Sequence, residues 1–165
     1  MSLFVSTSRK PSQLTRRLAK WLALLVGGET ENRGKRDAAG VVERAAARGF
    51  TRVLFIYENK GNPSRLVFHD SDKGWLEPEV IVSGAAFPEK AGADGRRLRL
   101  PGRAVFKALE KKWRIFGELL GLETLEADED DFVEVKAGGE NIFFEYGGAA
   151  VGPRLRAFLG PGKGN

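Results

Sequence analysis

A mixed α/β fold of two similar halves is what this sequence predicts, on three observations. Short apolar runs rich in β-branched and aromatic residues, such as Leu3-Phe4-Val5 and Val53-Leu54-Phe55-Ile56-Tyr57, alternate with segments of helical periodicity. Two of those segments are clearly amphipathic, one in each half. Each half then runs strand, helix, further strand, a rough pseudo-symmetry without a marked sequence repeat. At 165 residues, 42% hydrophobic and 30% charged, the chain suits one domain over residues 1–159. Its halves are expected at about 1–76 and 77–159, and the Gly- and Pro-rich residues 160–165 are expected to fray.

Taken in order, the run over residues 3–7 predicts a strand that feeds the basic loop Ser8-Arg9-Lys10-Pro11-Ser12. Leu14, Leu18, Trp21, Leu22 and Leu25 recur on one helix face, leaving Arg16, Arg17 and Lys20 largely off it. Pro11 suits the first turn of that helix, where a missing amide donor costs nothing, and Gly27-Gly28 stops it. A polar connection, Asn32-Arg33-Gly34-Lys35-Arg36, precedes Asp37, a cap for a second helix over residues 38–48. A fully buried strand is expected at residues 53–57, a turn at 58–63 and a neighbouring strand at 64–69.

After another turn at 70–74, Val80-Ile81-Val82 opens the second half, and residues 92–99 form a Gly- and charge-rich connection. Val105, Leu109, Trp113, Phe116 and Leu120 predict an amphipathic helix over residues 103–120, exposing Lys107, Lys111, Lys112 and Arg114. Strands follow at 132–136 and 142–146 around the hairpin turn Gly138-Gly139-Glu140-Asn141. A last strand over 153–159 alternates Leu155, Ala157 and Leu159 with Arg154 and Arg156.

The charge is unevenly divided. Residues 1–65 hold 13 Lys and Arg against 5 Asp and Glu, whereas residues 66–165 hold 14 against 17. A basic half beside an acidic half predicts a directed surface for a polyanion, of which nucleic acid is the commonest. Four basic clusters fall at loops or at strand and helix starts: Arg9 with Lys10, Arg33 with Lys35 and Arg36, Lys60 with Arg65, and Arg154 with Arg156. Each has a Gly or Pro beside it (Pro11, Gly34, Gly61 with Pro63, Gly152-Pro153), and bare glycine amides and arginine forks both suit phosphate. For any one cluster a solvated charge is the plainer account; four in one small domain favour a shared anionic partner. The aromatic residues Phe4, Phe55, Tyr57, Phe143 and Phe144 lie in apolar runs and are assigned to the core rather than to base stacking.

Enzyme chemistry finds little support. There is no cysteine, so neither disulfide nor thiolate nucleophile is available, and the single histidine, His69, cannot build a histidine metal cluster. Gly92-Ala93-Asp94-Gly95 and Gly147-Gly148 match neither phosphate-loop nor dinucleotide fingerprints. The acidic run Glu126-Ala127-Asp128-Glu129-Asp130-Asp131 lacks calcium-loop spacing and reads as a solvated loop. Residues 16–28 mimic a signal peptide, but the apolar core is short and no small-residue cleavage site follows. No run approaches the roughly 20 apolar residues of a membrane span. No cofactor, no metal, no membrane partner and a cytoplasmic location are the expectations.

Ser8-Arg9-Lys10-Pro11-Ser12, Thr15-Arg16-Arg17-Leu18-Ala19, Asn32-Arg33-Gly34 and Lys60-Gly61-Asn62-Pro63-Ser64-Arg65 together resemble the Brix-domain family of ribosome-biogenesis proteins. Val151-Gly152-Pro153-Arg154-Leu155 is similar to that family's closing Gly-Pro-Arg signature, and the short form is most similar to the archaeal members. Residues 78–83 depart from the family pattern, which has a Gly-Pro-Thr-like entry to its strand there. The resemblance implies a two-half fold akin to anticodon-binding domains and a non-catalytic role in rRNA processing. It also implies binding to precursor ribosomal RNA by a monomer, with ribosomal or other assembly proteins as further partners. The residues expected to touch RNA are Arg9, Lys10, Arg16, Arg17, Arg33, Lys35, Arg36, Lys60, Arg65, Arg154 and Arg156. The alternative is a protein-interaction adaptor whose acidic second half docks a basic ribosomal protein.

Overall fold

The computed structural model of the protein describes residues 3–88, 99–126 and 131–161. Most of the expected 92–99 connection, residues 127–130 of the acidic run and tail residues 162–165 lie outside the described residues.

β1 (Leu3–Thr7) is buried at every position because it runs between two parallel neighbours, β2 (Glu29–Thr30) and β3 (Arg52–Asn59). α1 (Gln13–Val26) begins where the Ser12 hydroxyl accepts the Thr15 amide, and it ends at Gly27 in the left-handed conformation that a glycine adopts freely. Pro11 therefore lies one residue outside the cap, not in the first turn as expected: Ser12 supplies the acceptor the free amides need. α2 (Ala38–Ala47) starts at Asp37, whose carboxylate accepts the Gly40 amide at 2.8 Å. β3 and β4 (Asn62–Asp70) extend almost through the expected 58–63 turn, leaving Lys60-Gly61 alone as a two-residue hairpin with φ of 51° and 81°. Both positive angles match the hairpin turns whose twist suits paired strands.

β5 (Gly74–Trp75) pairs with the end of β4, and β6 (Val80–Ala86) lies beside the start of that strand. Next come β7 (Ala104–Ala108), a 3₁₀ turn at Lys111–Trp113 and α3 (Arg114–Leu120). The expected helix over 103–120 is thus a strand in its first part. Val105 and Phe106 pair in parallel with β8 (Val133–Gly138), and this sheet pairing overrides a helical spacing that ran across the strand–helix border. Lys107 consequently sits half-buried in the sheet, and Leu109, expected on the apolar stripe, is 50% exposed. β9 (Asn141–Tyr146), β10 (Ala149–Ala150) and β11 (Arg154–Leu159) complete the chain.

The strands form one mixed sheet in the order β2-β1-β3-β4-β6-β11-β9-β8-β7, with β5 and β10 attached to β4 and β9. Its two ends repeat one plan. β1 leads through α1 to β2 and then to parallel β3, which turns back into β4; β7 leads through α3 to a parallel bridge at Thr124, then to parallel β8, which turns back into β9. β6 and β11 meet antiparallel at the centre. One face of the sheet buries Leu54, Ile56, Phe68, Val135, Phe144 and Leu155 against α1 and α3. The opposite face buries Phe4, Val53 and Phe55 against Val41 and Ala45 of α2. That second helix has no counterpart beyond β7 and β8 among the described residues. From β4 onward no helix among the described residues covers the outer face.

Candidate nucleic-acid interface

The three parallel strands β2, β1 and β3 end at the same edge, and each end carries a basic loop: residues 31–37 after β2, residues 8–12 after β1 and Lys60-Gly61 after β3. α1 leaves β1 on one face and α2 returns on the other, making this a topological switch point, where open α/β sheets place their ligands. Two loops are fastened to each other. The Ser12 hydroxyl donates to the Gly61 carbonyl at 2.7 Å, while the Ser12 amide and the Thr15 hydroxyl donate to the Glu58 carboxylate at 3.1 and 2.5 Å. Arg9 and Lys10 are thereby held beside Lys60, all three exposed. Lys10 and Lys60 share a left-handed backbone, with φ of 50° and 51°, which is uncommon outside glycine.

The acids nearest these loops are already engaged. Burial pushes the Glu58 carboxyl up, but the hydrogen bonds from Thr15 and Ser12 outweigh it and hold the group below the ordinary 4.5. Glu31 is likewise held low, first by its hydrogen bond to Arg44 at 2.7 Å and also by Arg48 at 2.9 Å. Arg9, Lys10, Arg16, Lys35, Arg36 and Lys60 have no acidic partner among the described residues. A cavity of 140 Å³ adjoins Arg16, lined also by Lys20, Thr7, Thr30, Asn32 and the already paired Glu31. What this edge offers is an uncompensated positive field with hydroxyl and amide donors beside it, the chemistry of phosphate binding.

The remaining expected residues divide differently. Arg17 is half-buried, with its guanidinium over the Phe87 ring at 4.5 Å and donating to the Pro88 carbonyl at 3.4 Å, which ties α1 to the exit of β6. Arg33 bends back through its bond to the Arg36 carbonyl and reaches the Phe55 ring at 6.0 Å. Arg65, Arg154 and Arg156 stand away from the loops on the open outer face. Arg65 pairs with Glu79 at 3.0 Å and Arg156 with Glu140 at 3.8 Å.

Aromatic residues on the same face need a partial correction. Phe4, Phe55 and Phe144 are core, but Tyr57 and Phe143 are half-buried on the open face, each beneath an arginine: Arg65 at 4.9 Å and Arg154 at 5.1 Å. Phe158, 48% exposed, was not singled out at all, although its period-two spacing from Arg154 and Arg156 puts it on their face. The Ser12–Glu58–Gly61 fastening joins residues more than forty positions apart and had no local signal.

No family model matches the chain. A stretch of 88 residues is 39% identical to the "Probable Brix domain-containing ribosomal biogenesis protein" of Methanothermobacter thermautotrophicus and covers 53% of each chain. Relatives with the same description come from Archaeoglobus fulgidus and Pyrobaculum aerophilum. The solved structure of Mil, an archaeal Imp4-like protein, superposes with a TM-score of 0.72 at 25% identity, covering 95% of this chain and 99% of that one. The chain is similar to the archaeal Brix-domain proteins over about half its length. Its matched stretch spans about half the length of the curated relatives. A 66-residue stretch is also 33% identical to the human U3 small nucleolar ribonucleoprotein protein IMP4, covering 39% of this chain and 23% of that protein. Among the described residues no helix is long and apolar enough to cross a membrane, and no three metal-ligating side chains converge.

Proposed function

We propose that this protein is a ribosome assembly factor that binds precursor ribosomal RNA through the strand-end loops and supports its processing without catalysing it. The observation that carries this reading is the meeting of three basic loops at one sheet edge, with the nearby carboxylates Glu31 and Glu58 already engaged. Arg9, Lys10, Arg33, Lys35, Arg36 and Lys60 supply phosphate contacts, with Arg16 beside the cavity. Residues 1–159 act as one monomeric Brix-like unit, of halves at about 1–76 and 77–159, in the cytoplasm. The descriptions of the relatives as biogenesis proteins, and of IMP4 as part of a ribonucleoprotein, favour RNA and assembly proteins as partners.

Ultraviolet crosslinking in cells, followed by sequencing of the RNA and mapping of the linked peptides, tests this directly. Adducts are expected to be enriched in precursor ribosomal RNA and to map to residues 8–12, 31–37 and 60–61. Adducts confined to the second half, or protein crosslinks to a basic ribosomal protein without RNA, would favour the adaptor reading instead.

A further inference from the structure

The outer face of the sheet carries a row of side chains that the loops do not explain. Tyr57 of β3 lies opposite Arg65 of β4, Arg65 opposite Ile81 of β6, and Ile81 opposite Phe158 of β11. Direct cross-strand partners point to one face, so these four form a line across neighbouring strands, roughly 14 Å from first to last at about 4.8 Å per strand. Along β11 the same face continues as Phe158, Arg156 and Arg154, and the last of these lies over Phe143 of β9. At the other side, Trp75 packs on Phe55 at 5.4 Å and on His69 at 5.0 Å, beside the ring that Arg33 reaches from the basic loop. Three large apolar side chains are exposed among the described residues, Trp75, Leu109 and Phe158, and two of them stand here.

A sheet face that only needed solvent would be polar; one that only needed a core would be covered. This one alternates rings with guanidinium groups and runs on from the proposed phosphate-binding edge through Arg33. We infer that the open face is a platform for unpaired RNA bases, an inference that rests on the RNA-binding reading above and narrows its ligand to single-stranded segments. Phe158 is the exposed stacking ring, and the Arg65 guanidinium that covers Tyr57 offers a second surface. Arg65 lies 4.9 Å over the Tyr57 ring and 3.0 Å from Glu79, so two partners fix the position of its planar cation. Arg154 and Arg156 meet the phosphates between stacked bases. Sheet-borne RNA modules stack two or three bases on aromatic residues in this manner, and a duplex, whose bases already stack on each other, gains nothing from it.

The test compares binding of a single-stranded RNA and a duplex of equal length. Phe158→Ala should weaken the single strand roughly 5- to 150-fold, the range for one lost base stack, and leave the duplex within about twofold. Leu109→Ala, an exposed apolar change beyond the end of β7 at the far edge of the sheet, should alter neither. Fluorescence supplies an independent readout, because Trp21 and Trp113 are fully buried and Trp75 is 42% exposed. The single strand should quench emission, the duplex should not, and Trp75→Phe should remove the effect. Equal losses for both RNAs, or no loss and no quenching, would overturn the platform and leave the face for a protein. If the variant Arg9→Ala, Lys10→Ala, Lys60→Ala still loses binding in that case, the RNA-binding reading survives alone. Failure of the unchanged protein to bind either RNA would overturn both.

Discussion

The two ends of the sheet follow one plan but fasten it with opposite chemistry. In the first half the loop after β1 is tied to the β3–β4 hairpin by hydroxyls and a carboxylate: Ser12 to Gly61, Ser12 and Thr15 to Glu58. In the second half the equivalent loop after β7 is tied to the β8–β9 hairpin by Trp113, whose indole donates to the Gly139 carbonyl at 2.9 Å, while the Gly139 amide donates to Glu110. A polar fastening needs no apolar mass above it, so Arg9, Lys10 and Lys60 are left exposed around it. An indole fastening draws its loop into the core, where Trp113 packs edge-on against Phe116. Glu110 also lies 3.8 Å from Lys112 and offsets its charge. One slot in the repeat therefore displays cations and the other anchors the sheet. The charge division between the halves follows this difference in use.

Breaking the second-half fastening should have the largest effect. Trp113→Ala removes a fully buried indole and its hydrogen bond and should cost about 3–5 kcal/mol in urea unfolding. A loss below about 1 kcal/mol would mean that Trp113 is not the anchor.

The first-half fastening should be weaker and should depend on pH. Glu58→Gln should cost about 1–3 kcal/mol at neutral pH, since it weakens hydrogen bonds to a charged acceptor. The folded Glu58 carboxyl is held below its ordinary 4.5, so its contribution is fully present above that pH and is lost as pH falls through the lower folded value. The stability gap between the unchanged protein and Glu58→Gln should therefore close on acidification. Asp70, also held low despite its burial, by the Asp72 and Lys73 amides and by Arg52, makes both proteins less stable in acid without changing that gap. A gap independent of pH would show that Glu58 acts through packing alone.

Leu109 sharpens the contrast from the other side. It follows β7 as Ser8 follows β1, yet its apolar side chain is half exposed. Leu109→Ser should change stability by less than about 0.5 kcal/mol. A larger loss would place Leu109 in the second-half anchor with Trp113.

Much of this architecture was legible locally. Continuous apolar runs marked β1 and β3, because strands buried on both faces leave no room for polar alternation. Leu18, Trp21, Leu22 and Leu25 marked α1, and all four are buried. Asp37 marked the start of α2 and Gly139 the β8–β9 turn. What failed shares a physical cause: it depended on partners distant in sequence. Val105 and Phe106 look helical with Leu109 and Trp113 until β8 is there to pair with them. Phe158 looks like one more apolar residue until the register sets it beside Ile81 on a face that no helix covers among the described residues. The convergence of the three basic loops was expected only as a sum of charges. The strand order β2-β1-β3, which brings them to one edge, is a tertiary fact.

We propose that charge in the first-half slot holds RNA phosphate and that charge in the second-half slot does not. The most direct measurement is the salt dependence of single-stranded RNA binding for two variants that each remove three positive charges. One replaces Arg9, Lys10 and Lys60 by alanine, and the other replaces Lys111, Lys112 and Arg114, all exposed. Counterion release gives a slope change of roughly 0.7 per phosphate contact, so the first variant should lose about 2 units of log–log slope. The second should keep nearly all of its slope. Equal losses from the two would mean that charge acts diffusely over the surface, and would contradict the division of labour between the halves.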